Sequence, residues 1–374
     1  MYLSWVELRD FRNHVLTRID GIPEGLIAVV GPNGEGKTNL MEGMYFLFSL
    51  SSPRASLNLP LVRDGAGAAY TRGEVMTRDG KIQVEVEIPR QGASRVQVNR
   101  NPVRRKRDLR RQVRAVFFGP DDLDVVRGEP GHRRRFMDEA VVALWPLKEP
   151  LLTAYDRALR QRNRLLKEWD RPGTPPGIEA WDEELVTAGA AVTRARAEAV
   201  AALAPHASAA FTWLAGYELA CTYAPNVTGD PASDAVEAAY RDRIVERRGD
   251  ELQRRTTLVG PHRDDLSLAV RDLGARSFAS HGEAWAAALT LRLGLASAVE
   301  EVIGEPPVLL VDDPFSALDP RRRDQVGNHL AYRGGQVLVS VADEADVPPR
   351  AEAIWDVRAG AVTPRADVRG AERP

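Results

Sequence analysis

The octapeptide Gly31-Pro32-Asn33-Gly34-Glu35-Gly36-Lys37-Thr38 spaces its glycines, lysine and threonine as GxxxxGK[ST], the pattern of a phosphate-cradling loop. The residue types explain the chemistry. Glycines let successive backbone N–H groups turn inward around an anion at a helix N-terminus. Lys37 is placed to reach the β- and γ-phosphates, and the Thr38 hydroxyl to hold Mg²⁺. The flanks suit this role, because Leu26 to Val30 is an unbroken apolar run that reads as a buried parallel strand, and Asn39 to Ser49 reads as a helix. A nucleotide is the ligand this segment calls for.

A second apolar run, Val308 to Val311, ends in Asp312-Asp313. Asp312 is expected to bind Mg²⁺ directly or through water, and Asp313 to orient or deprotonate an attacking water. Alone, the pair could equally be a strand end capped by turn-forming acids. Ser280-His281-Gly282-Glu283 stands just before a helix starting near Ala284, and Pro314 to Asp319 reads PFSALD. In ABC-type ATPases such a Ser-x-Gly turn contacts the γ-phosphate held by the opposite subunit, and the SxLD segment lines the dimer seam. Ser280, Gly282, Glu283 and Asp319 therefore join Gly31 to Thr38 as expected ATP contacts, with Lys37 and Asp313 as the catalytic pair. Ser280 as a plain helix N-cap, with Glu283 closing a capping box, is structurally compatible with this role.

These motifs lie near opposite ends of the chain yet must face the same phosphates. The expected organisation is an α/β ABC-type ATPase head, a parallel sheet with an antiparallel subsheet, made of residues 1–139 and 257–374, with a helical arm inserted over 140–256. Ile82 to Ile88 and Val96 to Val98 alternate at period two, as the subsheet requires. In the arm, composition predicts one helix from Val141 to about Trp169, a Pro/Gly-rich turn over Arg171 to Gly177, and a second helix from Ile178 to Leu203 stopped by Pro205. The two form a short hairpin of ~40 Å per arm. A further helix at His206 to Leu214, a strand at Glu218 to Tyr223 and a charged helix from Asp234 to Arg255 complete the insert.

Among 374 residues, 44% are hydrophobic and 28% charged, the balance of a globular protein. No apolar run approaches the ~20 residues of a membrane span. The opening residues lack the build of a secretion signal, so a cytoplasmic location is expected. The single cysteine, Cys221, excludes internal disulfides and cysteine-cluster zinc sites, and reads as a packed strand residue. The net charge of −2 conceals a basic stretch in which Arg104, Arg105, Lys106, Arg107, Arg110, Arg111 and Arg114 face only Asp108. That stretch is either a solvated loop or a surface for DNA phosphates.

Four separated blocks give the chain its resemblance. Leu8 to Asn13 resembles the LxxFRN opening of the bacterial RecF family, and Phe118 to Asp138 is similar to that family's FxPEDLxLVxGxPxxRRxFLD signature. Tyr155 to Lys167 and Gly260 to Leu266 also resemble RecF segments. The resemblance implies an ATPase that dimerises around two ATP molecules, binds duplex DNA and single-/double-strand junctions, and acts with RecR and RecO in loading RecA onto single-stranded DNA at gaps and stalled forks. A DNA-processing ATPase with a long coiled coil, or a transporter ATPase subunit, are the rival classes. The short hairpin and the lone cysteine oppose the first, and the inserted arm opposes the second. Where many ABC ATPases have Glu, the second acid is Asp313, as in RecF, which predicts slow turnover. His281 stands where relatives usually have Gln, and Ala284 where many have Gln or Arg. Asp121 occupies the expected place of a metal-facing Gln. No His follows the strand at Ser340-Val341-Ala342.

Overall fold

The computed structural model describes residues 1–229 and 235–365. The apolar runs Leu26–Val30, Val337–Val341 and Val308–Asp312 are buried throughout and lie side by side as parallel strands. Ala115–Phe118 pairs parallel on one flank, Ala353–Arg358 on the other, and Ala361–Pro364 closes that edge antiparallel, giving a six-stranded sheet. Continuous burial on both faces is why these strands show no polar alternation.

Successive residues of a strand point to opposite faces, and the two cores divide along that rule. Ile27 and Val29 pack with Leu40, Met44 and Leu47 of the helix Lys37–Ser49 and with Leu8 and Phe11 of the strand Tyr2–Phe11. Ala28 and Val30 pack on the other side with Ala286 and Leu289 of the helix His281–Ile303. Tyr2–Phe11 belongs to a second, antiparallel six-stranded sheet that includes Ala68–Thr77, Gly80–Pro89 and Arg95–Val98. The Gly80–Pro89 strand buries Val84, Val86 and Ile88 in alternation, as the sequence pattern requires.

The inserted segment departs from expectation in two places. The helix expected over Val141 to Trp169 is two helices, Pro130–Leu144 and Glu149–Glu168, separated at Trp145-Pro146. The residue before a proline is pushed out of the helical region, and Trp145 takes φ −133°, ψ 80°. Conversely, Pro205 does not stop the second helix, which runs unbroken from Ile178 to Ala215. The hairpin is therefore unequal, with helices of 20 and 38 residues. Packing outweighs the lost hydrogen bond, because just past Pro205 this helix lies against His281–Ile303 so closely that a Cβ on Gly294 would stand 2.6 Å from the Ala207 amide nitrogen. The third helix is described over Ala235–Arg254, and Asp234, its expected start, lies outside the described residues. The strand Leu219–Ala224 pairs antiparallel with Asp265–Val270, and Cys221, half-buried within it, has its thiol pushed up to about 12 by burial.

A buried polar knot ties the three arm helices together. The fully enclosed Arg162 guanidinium donates to Asp182 at 2.8 Å, to Glu251 at 2.5 Å and to the Thr257 hydroxyl at 2.8 Å. Removing one partner of such a network strands the other charges without water. Arg162→Met is expected to cost about 3–5 kcal/mol in urea unfolding, and a loss within about 0.5 kcal/mol would show the knot to be dispensable.

Candidate functional site

The phosphate-type loop leaves the sheet at Val30 and enters the helix at Lys37. Two of its glycines have structural causes. Gly36 adopts φ 113°, a region closed to most side chains, and a Cβ on Gly31 would stand 2.3 Å from the Val357 carbonyl oxygen. The opening block of the chain braces this loop from outside. Asn13 donates to the Glu35 carbonyl at 3.2 Å and accepts from Asn39 at 2.8 Å, and the imidazole of the buried His14 lies 3.2 Å from the Gly36 carbonyl. Arg12 donates twice to Glu42, a carboxylate with no exposure, one turn into the helix.

Lys37 is buried and folds back over its own loop, donating to the carbonyls of Gly31 at 2.5 Å and Pro32 at 2.9 Å. Burial lowers its pKa, while the charges of Asp312, Asp313 and Glu35 act in the opposite direction. Asp312 ends its strand almost fully buried, and desolvation raises its pKa against hydrogen bonds from Ser340 and Thr38. The Asp313 pKa is raised as well, first by burial and then by the charge of Asp312. Asp313 also holds φ 49°, an uncommon conformation for a residue with a side chain. Two acids and a lysine thus share a small, partly dry space beside Thr38.

Ser340 organises the acids. Its hydroxyl donates to the Asp312 carboxylate at 2.6 Å and accepts from the Asp313 amide at 3.0 Å. It stands where no histidine was found, and its one sequence signal was a polar residue inside the run Val337–Val341. Thr38, Asp312 and Asp121 line one cleft of about 240 Å³, together with Arg54 and Arg292. Asp121 thus shares a cleft with Thr38 and Asp312. Arg54 has no motif around it, and Arg292 reaches the cleft from His281–Ile303 by pairing with Asp122 at 2.6 Å and Glu139 at 3.0 Å. Neither was visible as a site residue in the sequence.

Ser280, Gly282 and Glu283 do not line this cleft. They form a turn at the head of His281–Ile303, with Ser280 exposed and Gly282 and Glu283 half-buried, and both hydrogen bonds of a capping box are present: Glu283 N–H to Ser280 Oγ at 3.2 Å and Ser280 N–H to Glu283 at 2.7 Å. The Glu283 carboxyl is held down at about 2, first by the Tyr217 hydroxyl and then by the Ser280 amide. Arg271 adds a bond at 2.8 Å. Tyr217 follows directly on the long arm helix, so the turn is tied to the arm. Asp319 caps the helix Pro320–Tyr332 by accepting from the Arg322 amide at 3.1 Å.

The basic stretch divides. Arg104, Arg105, Lys106 and Arg111 are exposed and Arg107 half-buried. Arg110 is committed elsewhere, donating to the Ser49 carbonyl and to Glu149, each at 2.8 Å. Arg114 turns inward and is buried.

A family model described as RecF/RecN/SMC N terminal domain matches residues 2–359. The chain is 40% identical over 373 residues to the DNA replication and repair protein RecF of Cutibacterium acnes, covering 93% of this chain and 94% of that one. The chain belongs to the RecF family. The RecF of Streptomyces avermitilis is 39% identical over 358 residues, covering 93% and 95% of the two chains. The solved structure described as the recombination mediator protein RecF-ATPrS in the RecFOR pathway superposes with a TM-score of 0.88 at 26% identity, over 98% of each chain. An Smc head domain from Pyrococcus furiosus shares the fold alone, with a TM-score of 0.56 at 17% identity over 97% and 96% of the chains. The RecF-like fold is thus an α/β ATPase head with mixed sheets. Among the described residues, no helix is long and apolar enough to cross a membrane.

A buried acid with a raised pKa binds its proton more tightly in the folded than in the unfolded chain, so its contribution to stability falls as pH rises from the ordinary carboxylate range. Asp312→Asn is accordingly expected to raise the melting temperature of the nucleotide-free protein at pH 7, and the gain should shrink as the pH is lowered toward ~4. Ser340→Ala should do the opposite at pH 7, costing about 1–3 kcal/mol by withdrawing a partner from both Asp312 and the Asp313 amide. Unchanged melting of both variants would contradict the described acid pair.

Proposed function

We propose that the chain is an ATP-dependent DNA-binding protein of recombinational repair, working as a dimer that closes around two ATP molecules. The observation that carries this reading is the separation of the site into two halves on one chain. Lys37, Thr38, Asp312 and Asp313 gather at the Gly31–Thr38 loop, whereas the Ser280–Glu283 turn stands outside their cleft with the amides of His281 and Gly282 free of protein partners among the described residues. Such a helix N-terminus is ready for an anion that its own subunit does not present.

In this reading Thr38 and Asp312 hold Mg²⁺, which neutralises phosphate charge, and Lys37 swings from its loop carbonyls to the β- and γ-phosphates. Asp313 orients the attacking water, and its short side chain makes turnover slow enough for a switch. Ser280 and Gly282 of the second copy complete the γ-phosphate shell, and Asp319 sits at the seam. Hydrolysis removes that shared anion and lets the dimer part. The head comprises residues 1–139 and 257–374, with the arm at 140–256. Its partners are duplex DNA and single-/double-strand junctions, and RecR and RecO in loading RecA at gaps and stalled forks, all in the cytoplasm. The relatives' names as DNA replication and repair proteins, and the RecF–ATP and RecFOR descriptions of the solved structures, support this assignment.

Exposed Arg104, Arg105, Lys106 and Arg111 are the cations available for DNA phosphates. Arg105→Glu should lower the salt slope of duplex binding by about 1, and an unaltered slope would remove this patch. Asp313→Asn should keep ATP-dependent dimers in size-exclusion chromatography while hydrolysis falls about 10²-fold or more. Loss of ATP binding in that variant, or a monomer with and without ATP in the unaltered chain, would overturn the proposed mechanism.

A further inference from the structure

Behind the phosphate-loop helix lies a separate cavity of about 560 Å³, walled by the helices Lys37–Ser49 and Pro130–Leu144 of the head and by Glu149–Glu168 of the arm. Its size suits a small organic ligand. Three of the RecF-like blocks meet there, contributing Arg134 and Arg135, Tyr155, and His262. The ATP chemistry uses none of these four.

The charges around this cavity do not cancel. Arg110 is paired with Glu149, Arg196 with both Asp138 and Asp264, and Glu139 with Arg292 from outside. That leaves three guanidiniums without a carboxylate. Arg114, 8% exposed, donates only to the carbonyls of Ala143 and Val113, and burial depresses its pKa to about 10. Arg134 donates to the Asp264 carbonyl, and Arg135 has no hydrogen bond or ion pair among the described residues. Against them stands one acid without an ion-paired cation, Asp156, which is exposed and offsets part of their charge. A protein that keeps a buried guanidinium without a counter-charge gains most from an anion that supplies one.

We propose that this cavity is a second anion site, taking a small phosphate-bearing ligand. Guanidinium groups match phosphate oxygens in pairs, and a phosphate offers three of them more acceptor oxygens than a monocarboxylate does. Tyr45 and Tyr155 line the same space and offer surface for an attached organic group. Two sources share this chemistry: a free nucleotide, and the 5′-phosphate of a DNA end. The site does not depend on the ATP reading, since it lies apart from the Gly31–Thr38 loop.

The test is calorimetry of the full chain with inorganic pyrophosphate, performed on Lys37→Ala so that the loop no longer competes. One pyrophosphate should still bind, and adding Arg134→Gln or Arg135→Gln should weaken it about tenfold or more. Arg135 is exposed, so its variant keeps the test open if Arg134→Gln misfolds; melting curves check both. Displacement of pyrophosphate by ADP supports the site and assigns it to free nucleotide. Displacement by a short duplex carrying 5′-phosphates, but not by its 5′-hydroxyl counterpart, supports it and assigns a DNA end. No pyrophosphate binding to Lys37→Ala, binding indifferent to both arginine substitutions, or displacement by neither competitor would overturn the proposal.

Discussion

The parallel pairing of Val337–Val341 with Leu26–Val30 on one side and Val308–Asp312 on the other is the constraint on which the site depends. In that register Val341 lies beside Val30, where the loop departs, and Ser340 lies beside Asp312. The period of a strand is two, so a slip of one residue would turn Ser340 and Asp312 to opposite faces. Segments from the two ends of the chain are thereby fixed within one cleft. Burial of both faces of the sheet specifies the register, because a slipped strand would exchange the residues serving the two cores.

The same packing holds the chemistry in an unfavourable state. Asp312 and Asp313 sit side by side with raised pKa values, and Asp313 has a left-handed backbone. Lys37 meanwhile spends its donors on its own loop. A bound cation would offset the paired acids and a phosphate would give Lys37 a new acceptor, which is how a site stores preference for its ligand. The Ser280 turn is connected differently. Glu283 links it to Tyr217 at the foot of the long arm helix, and that helix packs along His281–Ile303. Movement of the arm and placement of the turn are therefore mechanically joined.

What was legible in the sequence divides by physical cause. The loop, both acids and the capping turn could be read because glycine spacing, apolar strands and end-of-strand acids are local signals. Pro146 and Pro205 show the limit of such signals. Both are prolines within helix-forming sequence, yet one separates two helices and the other is carried through by packing against Gly294 and its neighbours. Arg54, Arg292 and Ser340 reach the cleft through the fold, with nothing in their sequence neighbours to mark them. The basic stretch looked uniform as sequence, but Arg110 and Arg114 are drawn inward by the Ser49 and Ala143 carbonyls.

The central claim is that each ATP site is built from two copies of the chain, and mixing two inactive variants tests it most directly. Lys37→Ala disables the loop half and Ser280→Arg the turn half, so each variant alone should hydrolyse ATP no faster than background. In a mixed dimer, the intact loop of the Ser280→Arg chain meets the intact turn of the Lys37→Ala chain. Hydrolysis should reappear on mixing and depend on the ratio of the two proteins. Two variants that each bind or fold normally, yet regain no hydrolysis at any ratio, would contradict a shared site.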